Sequence, residues 1–351
     1  MKKLNSLIVF AMLICLFCNC APTEPVKEKE RIKVGITMYN EFDPFTENIR
    51  HNIEDYLIKY QEQYGVEITS TVAYAGKNQV MQNDQVRDFI EKGYDVLCVN
   101  LVDRTDSSVI IEAAKAANIP VIFFNRELVE DDLKRFDKFY YVGADPEESG
   151  RLQGEIVIEA LENKMDEIDL NHDGVIQYVL LEGEPGHQDA IVRSRVSVET
   201  ITDAGYQMER LGDEIANWDI QQARTKMISL LQGYPRQIEL ILANDDNMAL
   251  GAVEALNEYG VQYMPLIVGV NGQEDALDAV DSELMLGTVL NNAQKKGKII
   301  AEMAVCLAMD TKFPDEIQLE NEKYYYVPYE KITKSNVSDY IENKEFRIIT
   351  Q

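Results

Sequence analysis

The strongest constraint on this chain is an alternation that runs from Arg31 almost to the C-terminus. Short runs rich in valine, isoleucine and aromatic residues trade places with stretches of helical periodicity. RIKVGITMY leads into a helical segment at 48–63, GVEITSTVAY into 83–92, DVLCVNLV into 108–117, and IPVIFFN follows. The cycle restarts at FYYVGAD and continues through 147–164, a strand at 175–181, a helix at 188–204, IELILAND, 247–259, LIVGVNG and MLGTVLN. A helix at 293–309 and the run YYYVPYEKI close the series. Strands separated by helices are joined by crossovers, and crossovers build parallel sheets covered on both faces. A chain of 351 residues has room for two such units, each with its own core. The expected fold class is therefore α/β, with two doubly wound parallel-sheet lobes.

In open sheets of this kind ligands collect beyond the carboxyl ends of the strands. Those ends read 39–45, 100–103, Asn125, 183–187, 244–246, Asn271 and 291–292, and nearly all offer Asn, Asp, His or an aromatic ring. Neither G-x-G-x-x-G nor a P-loop occurs, so a phosphate cradle is absent from the expectation. Acceptors and two-sided amides instead suit hydroxyl groups, each of which donates one hydrogen bond and accepts up to two. The expected ligand is uncharged and carries many hydroxyls. Phe45 and Trp218, the only tryptophan, are the candidates for covering the apolar faces of a pyranose ring. After the turn GEPGH, Asp189 and Arg193 stand four apart at the start of a helix and share a face with each other and approximately with His187.

A second site is written into DLNHDGVIQ. Asp169, Asn171, Asp173 and Gln177 fall at positions 1, 3, 5 and 9 of an EF-hand loop, with Gly174 at the turn and the Val175 carbonyl at position 7. Position 12 is Leu180 rather than a bidentate glutamate, and a strand follows where a helix would be. Calcium takes six to eight oxygens, so the remaining carboxylate has to come from a neighbouring strand. The strand puts this loop roughly 20 Å from the GEPGH turn, which makes the expected calcium structural.

The N-terminus reads as an export signal: Lys2 and Lys3 precede the apolar run 7–17, too short to span a bilayer. Cys20 is the expected lipidation site, closing a signal segment at 1–20, and 21–31 reads as a charged, proline-containing tether. The membrane is then met only through the lipid anchor. With 34 basic against 61 acidic residues the net charge is −27, a surface that repels nucleic acid and anionic lipid. Cys98 and Cys306 sit inside apolar patterns and are expected as buried free thiols.

Several motifs occur together and in a fixed order: Y-x(3)-D-x-F, N-L-V-D, D-L-N-x-D-G-x-I-Q, G-E-P-G-H-x-D-x(3)-R, the W-D pair, A-N-x-D and G-T-V-L-N. By these the chain resembles the galactose/glucose-binding proteins of bacterial ATP-binding-cassette sugar importers over essentially all of 31–333. The resemblance implies a type I periplasmic binding protein of two lobes joined by three hinge crossings, near Asn125, Asn291 and Pro328. One lobe would hold 32–124 with 292–327, the other 125–291 with 328–351. It also implies a pyranose sandwiched between Phe45 and Trp218, with hydroxyls held by Tyr39, Asp43, Asn100, His187, Asp189, Arg193, Asp245, Asn271 and Asn291. Two positions depart from the family pattern, which has Asn where Asp245 stands and Asp where Asn271 stands, so the sugar preference is open between D-galactose and D-glucose. The same resemblance supplies Glu239 as the missing calcium ligand. Its implied partners are a monosaccharide, an importer permease and, in some members, a chemoreceptor, with the protein itself a monomer.

Three other classes compete with this reading. Asp43, Asp189 and Asp245 are carboxylates of the kind a glycosidase pairs, but the sequence has only three histidines and no H-E-x-x-H or G-x-S-x-G pattern. A sugar-responsive repressor needs a DNA-binding head, and 1–31 reads as signal and tether. A sensor subunit reporting to a chemoreceptor or kinase fits every residue named, and remains the alternative to transport.

Overall fold

In the computed structural model the described residues are 31–342. The signal, the lipidation site Cys20 and most of the tether lie outside them; Arg31, assigned to the tether, opens the first strand. Among the described residues no helix is long and apolar enough to cross a membrane.

The strands in chain order are β1 (Arg31–Met38), β2 (Glu67–Tyr74), β3 (Val96–Val99), β4 (Val121–Phe124), β5 (Phe139–Gly143), β6 (Val175–Glu182), β7 (Gln207–Ile215), β8 (Leu240–Ala243), β9 (Leu266–Asn271), β10 (Gly287–Leu290), β11 (Tyr324–Tyr326) and β12 (Glu330–Thr333). They form two six-stranded sheets, ordered β11-β5-β4-β3-β1-β2 and β12-β10-β9-β8-β6-β7. The pairings are parallel apart from β12, which runs antiparallel to β10 with Leu290 opposite Glu330. The central strands β3 (VLCV) and β4 (VIFF) are buried at every residue. This is why they read as continuous apolar runs: helices cover both faces of a parallel sheet.

The expected two-lobed class is found, and one boundary moves. β5 is not the start of the second lobe, and the chain does not leave the first at Asn125. β5 lies beside β4 with Phe123 opposite Tyr141, so the first crossing follows Gly143. Alternation of strand and helix says nothing about which sheet a strand joins; the ladder decides it. The other crossings fall between β10 and the helix Ala293–Met309 and between β11 and β12. That helix returns to the first lobe, where Ile299, Ile300 and Met303 pack with Phe45, Ile49 and Ile53. β7 was not read from the sequence. It is an edge strand whose residues are all half-buried or exposed, so QMERLGDEI carries no apolar run.

Candidate functional site: a hollow between the lobes

Each side chain of the hollow is delivered by a strand ending at the cleft. Beyond β1, Asp43 caps the helix Pro44–Tyr64: its Oδ1 accepts from the amides of Phe45 at 3.0 Å and Thr46 at 3.2 Å. Its Oδ2 accepts from the Tyr39 hydroxyl at 2.7 Å. Burial, followed by the Asp43 charge, pushes that phenol well above its ordinary value, so Tyr39 serves as a donor. Beyond β8, Asp245 repeats the cap on the helix Asp246–Tyr259, with Oδ1 accepting from the Met248 amide at 2.9 Å. Its carboxyl is pushed up to about 7, chiefly by burial.

The turn after β6 brings His187, Asp189 and Arg193 to the same place. Burial, reinforced by the Arg126 charge, pulls His187 down to about 3, so its imidazole is neutral, and its buried Nδ1 has no partner. Arg193 is 3% exposed and held on three sides: Nε donates to Ser149 Oγ at 2.8 Å, Nη1 to the Asn244 carbonyl at 2.6 Å and Nη2 to the Tyr329 hydroxyl at 3.3 Å. Asp189 is raised by burial against the opposing pull of Arg193 and Lys296. At the ends of β9 and β10, Asn291 Nδ2 faces Asn271 Oδ1 at 3.5 Å, and Asn291 Oδ1 is buried without a partner.

Nine of the eleven expected residues line one hollow of about 40 Å³: Asp43, Phe45, His187, Asp189, Arg193, Trp218, Asp245, Asn271 and Asn291. Phe45 and Trp218 come from opposite lobes. The other two stand elsewhere. Tyr39 lines an adjoining outer chamber of about 460 Å³, which shares Arg126, His187 and Asp189 with the hollow. Asn100 is fully buried; its Nδ2 donates to the Phe124 carbonyl at 3.1 Å and its Oδ1 has no partner. Asn125 and Arg126 also line the hollow and are not among the expected contacts, although Asn125 is one of the strand ends. Lys296 was missed entirely: it is 2% exposed, lies 5.2 Å from the centroid of the Phe45 ring, and is pulled down to about 7, chiefly by burial. Its neighbours in sequence are those of an ordinary amphipathic helix.

The loop at 169–177 is a compact turn with Gly174 at φ +79°. Glu239 does reach it from the start of β8: Oε1 accepts from the Leu170 amide at 2.6 Å and Oε2 from the Gln177 amide at 3.0 Å. Asp169 accepts from the amides of Asp173 and Gly174, and the Asn171 and Gln177 amides donate to Asp173 Oδ2 at 2.9 and 3.1 Å. Burial first, then the charges of Asp169 and Asp173, pushes Glu239 up. Among the described residues no three His, Cys, Asp or Glu side chains form a cage by themselves.

Comparisons with known proteins agree with this architecture. Residues 34–312 match the periplasmic binding protein domain family. The chain is 34% identical over 311 residues to the D-galactose/methyl-galactoside binding periplasmic protein MglB of Haemophilus influenzae, covering 88% of this chain and 92% of that protein. It is 27% identical to the ribose import binding protein RbsB of Bacillus subtilis, over 87% of this chain and 92% of that one. Among solved structures, a solute-binding protein from Bacillus halodurans with bound myo-inositol shares the fold at a TM-score of 0.74 and 24% identity, over 90% of this chain and 98% of that one. Family match, two-lobed topology and the residues gathered between the lobes agree: the chain belongs to the periplasmic binding protein family.

Proposed function

We propose that the protein captures a monosaccharide, D-galactose or D-glucose, between its lobes and hands it to the permease of an ABC importer. The observation carrying this reading is the single hollow in which two aromatic rings from opposite lobes meet a set of buried carboxylates, amides, an arginine and a neutral imidazole. Carboxylates and the imidazole accept hydroxyl protons, Arg193 donates, and amides do both. The galactose-binding protein of Haemophilus influenzae supports the sugar class. Other relatives are named for ribose or xylose, so the hexose is the finer part of the proposal.

Binding is followed by rotation of the lobes about the three crossings, and the closed shape signals occupancy. The family binds solutes and catalyses no reaction. Export and a lipid anchor at Cys20 complete the proposed placement. Reporting to a chemoreceptor or sensor kinase is the alternative use of the same closed shape.

The loop at 169–177 is proposed to hold a structural calcium ion. Asp169, Asn171, Asp173, Gln177, the Val175 carbonyl and Glu239 are the ligands, and the carboxylate crowding around Glu239 is what a dication would relieve.

The test is a titration of the intrinsic fluorescence of Trp218 across a panel of sugars. A saturable change with galactose or glucose and none with pentoses is expected. A flat response to every hexose removes the sugar reading.

A further inference from the structure

Glu184 is not among the residues lining the inner hollow, yet it ties the lobes together at the entrance. It sits in the turn after β6, on the second lobe. Its Oε2 accepts from Arg126 Nη2 at 2.7 Å, and its Oε1 pairs with Lys77; both cations belong to the first lobe. The Arg126 contact is unlike the ordinary surface ion pairs of this chain: the Arg126 and Glu184 side chains are only 12% and 17% exposed, whereas Lys77, at 51%, is as exposed as most of the i,i+4 pairs on the helices.

Arg126 is itself fixed. Its Nη1 donates to the Val102 carbonyl at 2.9 Å, and its guanidinium lies 3.7 Å from the centroid of the Tyr39 ring. Tyr39 in turn donates to Asp43, which lines the hollow. The contacts therefore run unbroken from Glu184 on one lobe, through Arg126 and Tyr39, to a ligand-facing carboxylate on the other. Burial raises a carboxyl, but Arg126 and Lys77 outweigh it and hold Glu184 below its usual range, so it is ionised at neutral pH.

We propose that Glu184 is a cross-cleft clasp: it sets affinity without touching the sugar, by holding Arg126 and Lys77 of the opposite lobe when the cleft is closed. This rests on the sugar-binding reading and adds to it a residue that governs how long the lobes stay shut. Removing one partner of a desolvated charge pair acts mainly on dissociation, because the pair exists only in the closed form, which the sugar-free protein populates in part and sugar makes dominant.

The experiment compares wild type with Glu184→Gln, Lys77→Gln and the double variant. Sugar dissociation is followed by Trp218 fluorescence in stopped flow at low and high salt, and small-angle scattering is recorded without sugar. Glu184→Gln is expected to speed dissociation about tenfold at low salt with little change in association. The part of the difference that Lys77 supplies should shrink as salt rises, because that cation is half exposed, and the double variant should be no weaker than Glu184→Gln alone. The sugar-free variant should have a larger radius of gyration than wild type. Unchanged dissociation and scattering would overturn the proposal, and so would a double variant that releases sugar much faster than Glu184→Gln alone. If wild type binds no monosaccharide, the sugar reading fails separately, while the scattering comparison still decides whether Glu184 holds the lobes together.

Discussion

The imidazole of His187 meets the indole of Trp218 edge-on, with ring centroids 5.1 Å apart and planes at 76°. Two backbone features put them there. Asn217 and Trp218 both have positive φ, +53° and +62°, which turns the chain sharply after β7. Gly183 leaves room for the indole, since a β-carbon on it would lie 2.0 Å from Trp218 Cζ2.

Gly183→Ala therefore pushes the indole away from its place in the hollow. Affinity is expected to fall at least tenfold, about 1.4 kcal/mol, with a shifted emission maximum in the sugar-free protein. Titration calorimetry checks the first and a fluorescence spectrum the second.

Asp43 does two jobs that different substitutions separate. Asn is as good an N-cap as Asp, so Asp43→Asn keeps the helix start and removes the charge. Asp43→Ala removes both. Both variants are expected to bind sugar at least tenfold more weakly, since a hydrogen bond to a charged group contributes roughly 1.5–3 kcal/mol. Only the alanine variant should lose a further ~1 kcal/mol of stability in denaturant unfolding.

Asp245 links stability to pH in a direction opposite to that of a salt-bridged carboxylate. In the unfolded chain an Asp titrates near about 3.9, but here burial holds it up to about 7. Between those values the folded state keeps a proton that the unfolded state has lost. The stabilisation is full below the unfolded pKa and is lost as pH rises through the folded one. Asp246, up to about 6 for the same first cause, acts in the same sense, and neutral His187 acts in the opposite one. Asp245→Asn should therefore reduce the decline in stability that Asp245 contributes between pH 4 and 7. Urea unfolding of wild type and variant at pH 5 and 7.5 measures the difference; parallel pH profiles would contradict it.

The calcium ion proposed for the 169–177 loop would stabilise by mass action, about 2.7 kcal/mol at a hundredfold excess over Kd. Chelation is expected to lower the melting temperature of wild type, while Glu239→Ala melts low with or without chelator. Sugar binding at low temperature should survive chelation, because the loop lies at the opposite end of β6 from His187. Identical wild-type melting curves in EDTA would remove the ion from the proposal.

Much of this protein was legible in its sequence. The pattern around β1, β3, β4, β6 and β8 specifies buried parallel strands because both faces of each are covered, and burial writes itself as an unbroken apolar run. The D-x-N-x-D-G turn and the GEPGH turn are local, so spacing alone defines them. What the tertiary structure decided is which distant pieces meet. Sheet membership of β5 depends on hydrogen bonds to β4, and an edge strand such as β7 buries too little to leave a signature. Arg126, Glu184 and Lys77 carry no local pattern: a charged residue in a loop looks the same in sequence whether it faces water or an opposite charge on another lobe, and only the folded cleft distinguishes the two.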